Sequence, residues 1–322
     1  MTTSEIGTSV PHTIAELARS SSLPAAADGN SWPPRRLVEL IDASSDAISP
    51  SDAVAQILLR TTLETSSNHE AARLEAALRR RLPLPAQDQI DFMIATHLVN
   101  HDEYLRWMIQ MLGGWLNLGD GNCQCFSHAI RHMPPGGAVV EIGSFLGVSI
   151  CAISYLLLRH DRLNTLWNTD PWAFEETEKP IGGFFDAASP AYRDYCVETY
   201  KRNVELFAAR RPPTTIAAFS DDFFRAWATS TEIADVFGKP AQLGGAISFA
   251  YIDGAHTYEA ARNDFENVCR HLLPGGFVLF DDSNPRLSFG CVRTAAEAAA
   301  VPGFRRVFTH VDGLNVLLQK SS

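Results

Sequence analysis

The stretch from Val139 to Ser149 constrains this chain more than any other. Ala138 to Ile142 is a short β-branched run opened by Gly136 and Gly137, the pattern of a buried strand. Glu141, Gly143, Ser144 and Gly147 mark a turn, and Ile150 to Leu158 is then mostly apolar. A helix this apolar has to pack deep against a sheet. Strand, glycine turn and helix together aim backbone N–H groups and a helix N-terminus at a ligand. Gly143 lets the chain turn where a side chain would block that ligand, and Gly147 permits close helix–strand contact. Glu141 at the strand's end would repel a phosphate and suits a cationic group or a ribose hydroxyl. The third glycine of a dinucleotide fingerprint is missing as well.

Downstream the pattern alternates. Leu163–Thr169, Thr214–Phe219, Ala246–Ile252 and Phe277–Phe280 read as strands. Tyr192–Arg210, a segment from Phe223, Tyr258–Leu272 and Thr294–Ala300 read as helices. Phe304–Thr309 and Leu314–Gln319 are two further strands joined by Val311-Asp312-Gly313. The whole predicts an α/β fold: a Rossmann-like, mostly parallel sheet with an antiparallel C-terminal edge, preceded by a helical N-terminal region. Asp170 closes the second strand, where such folds hold ribose hydroxyls; a turn-forming Asp-Pro explains it too. The polar segment 175–189 reads as an inserted loop of the kind that covers a crevice.

Carboxylates collect at two neighbouring strand ends. Asp253 ends the fourth strand, and Asp281 and Asp282 end the fifth. Converging acids without balancing Lys or Arg repel one another unless a cation sits between them. Oxygen ligands of this kind suit Mg²⁺ or Mn²⁺. His256, three residues past Asp253, could serve as a general base in the same crevice. The plainer alternative is a helix-capping Asp pair on a solvated edge, with His256 packing locally.

Two motifs resemble known families. Glu141-x-Gly143-Ser144-x-x-Gly147 resembles the first motif of class I S-adenosylmethionine-dependent methyltransferases. Tyr251-Ile-Asp-Gly-Ala-His-Thr-Tyr258, with Leu-Leu-Pro-Gly-Gly276 and Phe-Asp-Asp282, is similar to the macrocin O-methyltransferase family. That resemblance spans about 136–319. It implies a metal-dependent O-methyltransferase that moves a methyl group from S-adenosylmethionine to a hydroxyl of a sugar-bearing or phenolic natural product. Asp253, Asp281 and Asp282 would then hold Mg²⁺ (or Mn²⁺), and His256 would be the catalytic base. Glu141, Gly143, Ser144, Gly147, Asp170 and Ser220 would line the cofactor site, with Ser149, Asp221 and Asp253 as further candidates. In such enzymes the turn at Ser220-Asp221 faces the adenine, although capping of the next helix explains those residues equally well. Family members often carry Glu where this chain has the shorter Asp281. Another enzyme on the same scaffold, hydroxylase-like or nicotinamide-dependent, and a non-catalytic assembly subunit are the competing readings.

The first 34 residues are rich in Ser, Ala and Pro and read as a flexible arm. Residues 35–115 are a helical region with patterns at Arg35–Ala43, after Ser51-Asp52, at Ala71–Arg80 and from Gln87 to Leu112. In the last of these, His97 and His101 lie one turn apart without a third ligand. Residues 116–322 form the expected catalytic domain. A formal charge of −10 argues against a nucleic-acid or anionic-membrane partner. There is no membrane-spanning apolar run and no signal-peptide pattern at the N-terminus. The six cysteines, Cys123-Gln124-Cys125 among them, lack zinc-site spacing, as expected of reduced thiols in a cytoplasmic protein. A small-molecule acceptor is the expected partner, and the apolar helical third suits self-association.

Overall fold

The structure is a computed structural model that describes residues 88, 91–92, 95–96, 98–116, 121–174, 189–307 and 315–321. The chain divides into two compact units, Met1–Ile94 and Ala95–Ser322. Asp88, Asp91 and Phe92, the described residues of the first, are helical. The helical patterns expected before Gln87, His97 and the segment 175–188 lie outside the described residues.

In the second unit β1 (Ala138–Ile142), β2 (Leu166–Thr169), β3 (Thr214–Ile216), β6 (Ile247–Ile252) and β7 (Leu272–Phe280) run parallel. The sheet is completed by β8 (Phe304–Arg306) and β9 (Val316–Lys320), in the order β3-β2-β1-β6-β7-β9-β8. Among the described strands of this sheet β9 alone runs against the rest, and it slots between β7 and the edge strand β8. The expected antiparallel feature is therefore present, one strand in from the edge. A separate hairpin, β4 (Glu232–Ala234) with β5 (Pro240–Gln242), was not legible in the sequence because each strand has three residues and little apolar patterning.

Helices cover both faces: α1 (Glu103–Leu112), α2 (Asn122–His132), α3 (Val148–Arg159), α4 (Pro190–Phe207), α5 (Ser220–Ala228), α6 (Tyr258–His271) and α7 (Gly290–Ala299). The helix expected to run unbroken from Gln87 to Leu112 is interrupted at His101-Asp102. Asp102 has extended φ/ψ, and its Oδ1 accepts from the Leu105 N–H at 2.9 Å, so it starts α1 as an N-cap. Its Oδ2 accepts from the Tyr155 hydroxyl at 2.7 Å, tying α1 to α3. That contact places α1 in the same compact unit as the sheet, where the sequence pattern groups it with the N-terminal helices.

Period-two alternation sorts the central strands between two cores. Val140, Ile142, Ala250, Ile252, Val278 and Phe280 join Phe223, Trp227, Phe265 and Val268 on the face covered by α5 and α6. Residues of the opposite parity include Glu141 and Tyr251, register partners on β1 and β6, with Asn168 beside Glu141 on β2. Asn168, Glu141 and Tyr251 are all buried, so a polar row crosses three strands inside an otherwise apolar layer. Buried polar groups of this kind persist only when hydrogen-bonded. Asn168 accepts from Tyr200 on α4 at 3.2 Å and donates to Ser144, which in turn donates to Glu141 at 3.1 Å.

Candidate active site

Strand order reverses between β1 and β6, and open α/β sheets bind ligands beyond the C-terminal ends of the strands at such a point. The glycine turn leaves β1 there. Gly143 has φ 87°, and a Cβ on it would lie 2.0 Å from the Asp253 carbonyl oxygen. Gly147 also has φ 87°, and its missing side chain makes room for the Tyr200 ring. Three non-glycine residues with left-handed φ sit at strand ends of this crevice: Phe145 after β1, Trp172 after β2 and Asp282 after β7. Such conformations persist where surrounding structure fixes them, and they cluster at functional sites.

Glu141 is fully buried, and burial pushes its carboxyl up to about 8 against the hydrogen bonds of Ser149, Ser144 and Asn168. Ser149, in the first turn of α3, thus meets Glu141 directly. Asp170 is committed to the turn itself. Its Oδ2 accepts from the N–H groups of Ser144 and Phe145 at 2.8 and 2.9 Å, and its Oδ1 from that of Trp172 at 2.7 Å. Burial nonetheless outweighs these donors and raises its carboxyl above the ordinary range.

Beyond β3, Ser220 opens α5 and hydrogen-bonds Asp264, while Asp221 accepts from Asn263 and Asn267 of α6. Their side chains tie α5 to α6, and α5 has no side-chain cap, so the capping expected of them is not what they do. Phe219, the N-cap residue of α5, is a large apolar side chain exposed at that strand end, and its role is not marked in the sequence.

The acids gather as the sequence suggests, with one difference. One ligand atom each from Asp253, His256 and Asp281 lies within 4.8 Å of the others, and all three residues are half-buried. His256 Nε2 stands 3.5 Å from Asp253 Oδ1 and has no hydrogen-bond partner among the described residues. Asp282 falls outside this trio; its Oδ2 lies 3.6 Å from Nδ1, on the other side of the imidazole. Burial, then Asp281, then Glu141 push the Asp253 carboxyl well above the usual carboxylate range. Two acids facing one another, with no cationic side chain between them among the described residues, fit a hard divalent cation, and the unpartnered imidazole nitrogen stands beside them as a proton acceptor.

The ring of His256 is held by its neighbours. The N–H groups of Gly290 and Cys291 donate to its carbonyl at 2.9 and 3.3 Å, and Phe289 lies against the ring, centroids 5.1 Å apart. Gly290 is required for this docking, since a Cβ there would sit 2.1 Å from the Tyr258 nitrogen. Sequence reading missed Phe289, and it missed Asn122 and Asn315 as partners of Asp281. A glycine-flanked Asn122 at a helix start was the one available signal.

Residues 140–283 match the family model described as a methyltransferase domain. The match covers a little under half of the chain. Its matched span begins in β1 and ends just past Asp282, so it holds the glycine turn and all three strand-end acids. Among solved structures, the chain is similar to an O-methyltransferase from Bacillus cereus in complex with SAH. The identity is 14%, covering 73% of this chain and 97% of that one, with a TM-score of 0.46. It is also similar to the O-methyltransferase TomG from Streptomyces achromogenes, involved in tomaymycin synthesis (14% identity, 73% and 96% covered, TM-score 0.42). A calicheamicin methyltransferase matches at 15% identity over 91% of this chain and 99% of its own, with a TM-score of 0.43. No curated protein matches the chain in sequence. No helix among the described residues is long and apolar enough to cross a membrane.

Proposed function

We propose that the protein moves a methyl group from S-adenosylmethionine to a hydroxyl of a small natural-product acceptor, sugar-bearing or phenolic, with the help of Mg²⁺ or Mn²⁺. The methyltransferase-domain match supports the reaction class. The observation that carries the metal-dependent form is the convergence of Asp253, His256 and Asp281 within 4.8 Å beside the glycine turn. Asp253 and Asp281 would hold the cation, with Asp282 the third carboxylate of the site.

When bound, the cation would lower the pKa of the acceptor hydroxyl and fix its orientation. His256 takes the proton at Nε2 as the acceptor oxygen forms its bond to the methyl carbon and the carbon–sulfur bond breaks. The electron pair stays on sulfur, leaving a neutral thioether. Asp282, 3.6 Å from Nδ1, steadies the ring from its other side. Glu141, Ser144 and Ser149 form the floor under the cofactor, and Asp170 holds the turn that faces it. Since the sulfonium is already activated, alignment of oxygen, carbon and sulfur supplies much of the acceleration.

Calorimetric titration with S-adenosylhomocysteine tests the cofactor reading. Saturable binding that is lost on substitution of the glycine turn supports it, and no binding would move the nicotinamide and assembly-subunit readings ahead. Methyl transfer to hydroxylated metabolites, assayed with and without Mg²⁺, then tests the acceptor and the metal.

A further inference from the structure

The two carboxylates at the centre of the site are joined behind the surface by a buried amide and phenol network. Asn122 Nδ2, at the first position of α2, donates to Asp281 Oδ1 at 2.8 Å. Asn315 Nδ2, at the head of β9, donates to the same oxygen at 3.0 Å. Asn315 Nδ2 also donates to Asn122 Oδ1, which fixes the Asn122 side-chain amide with its nitrogen toward Asp281. The Asn122 nitrogen reaches the Tyr251 hydroxyl at 3.2 Å, and that hydroxyl hydrogen-bonds Asp253. All three side chains are buried, at 5%, 4% and 1% exposure, so the network is cut off from water.

We infer that Asn122, Asn315 and Tyr251 are positioning residues that present the Asp253 and Asp281 carboxylates to a divalent cation. The inference rests on the metal-dependent reading above. Both amides take Oδ1 of Asp281 and neither takes Oδ2, so the carboxylate is pinned in rotation with one oxygen spoken for. Tyr251 does the same for Asp253 from the neighbouring strand. Asp281 is a short side chain, so its reach leaves little slack for a loosely held rotamer. Two of the three residues, Asn122 and Asn315, lie outside the segment that matches the methyltransferase domain. Hydrogen-bonded partners behind metal-binding carboxylates commonly govern affinity as strongly as this, because they set orientation before the ion arrives.

The test is Mn²⁺ affinity of the full chain, measured by electron paramagnetic resonance, with S-adenosylhomocysteine affinity measured in parallel by calorimetry. Asn122→Ala and the isosteric Tyr251→Phe are compared with the parent and with Asp281→Asn. Each of the first two should weaken Mn²⁺ binding about 10–100-fold while S-adenosylhomocysteine affinity stays at the parent value. Mn²⁺ affinity equal to the parent in both variants overturns the positioning role and leaves the metal reading standing. Parallel loss of both affinities in Tyr251→Phe also overturns it, because that is what a general packing role produces. No Mn²⁺ binding by the parent itself removes the metal reading and the inference with it. Should Asn122→Ala fail to fold, Tyr251→Phe, which deletes one oxygen and keeps the ring, decides alone.

Discussion

The Asp170 carboxylate accepts a hydrogen bond from the Ser144 N–H at 2.8 Å, joining the end of β2 to the turn that leaves β1. A second bond from Phe145 to the same oxygen makes the acid a clamp on the glycine turn. Asp170→Ala strands these donors and that of Trp172. The expected loss is about 1–3 kcal/mol of stability, or roughly 2–4 °C in Tm for each kcal/mol in a domain of this size. S-adenosylhomocysteine affinity should fall more than the melting shift alone explains, because the turn that faces the ligand is released. Thermal melts and titration calorimetry on the same preparation check both parts; unchanged affinity in a destabilised variant would confine Asp170 to a structural role.

Gly143→Ala meets two obstacles at once. A left-handed conformation costs an ordinary residue about 1–2 kcal/mol, and the added methyl would sit 2.0 Å from the Asp253 carbonyl oxygen. That neighbour is backbone, so β1 and β6 must part at their C-terminal ends to admit it. The variant should lose S-adenosylhomocysteine binding and melt lower than Gly136→Ala, where φ is 88° but nothing lies within 4 Å of the new Cβ. The comparison separates strain from crowding.

Glu141 makes stability depend on pH in a defined direction. Its ordinary value of 4.5 is raised to about 8 in the fold by burial. Between those values the folded state holds a proton that the unfolded chain has given up, so stability falls as pH rises through the window. Below 4.5 and above about 8 the contribution is flat. Glu141→Gln keeps the shape and removes the titration. The Tm difference between variant and parent should therefore grow in the variant's favour from pH 5 to pH 8 and then level off. A difference that stays constant across the window would show that the carboxyl titrates normally.

Much of this architecture was legible because burial leaves a mark on sequence. The β-branched run at Ala138–Ile142 and the apolar stretch after Gly147 became β1 and α3, and the acids fell at strand ends where the alternation put them. What stayed hidden depended on partners far along the chain. Asn122 and Asn315 are separated by 193 residues, and no local pattern announces that both will reach Asp281. The three N–H donors that hold Asp170 come together only in the folded turns, and no sequence pattern marks them. The pairing of Asp282 with the far side of His256 follows from its left-handed φ of 44°, which sequence gives little reason to expect of an Asp in an Asp-Asp pair.

Chelation separates the metal from the cofactor. With Asp253 and Asp281 converging and no cationic side chain between them among the described residues, removal of divalent ions leaves nothing at the paired carboxyls to hold the acceptor oxygen. Methyl transfer should stop in chelator and return on adding Mg²⁺ or Mn²⁺, while S-adenosylhomocysteine binding continues throughout. Full turnover in chelator would return these acids to a structural role.

His256 is the group whose removal should separate chemistry from binding most sharply. Nε2 has no hydrogen-bond partner among the described residues and stands 3.5 Å from Asp253, while Nδ1 is backed by Asp282 at 3.6 Å. Its backbone is fixed independently by Gly290 and Cys291, so truncating the side chain leaves the docking of α7 intact. His256→Ala should lower turnover about 10²–10⁴-fold, the usual worth of a positioned general base, with S-adenosylhomocysteine affinity unchanged. Asp282→Asn should produce a smaller loss of the same kind, since it removes the carboxylate that steadies the ring at Nδ1 and leaves Nε2 in place. Raising the pH should recover part of the turnover of His256→Ala, because solvent then competes better for the acceptor's proton. Turnover at the parent level in His256→Ala would take the histidine out of the reaction and leave the carboxylates to act without it.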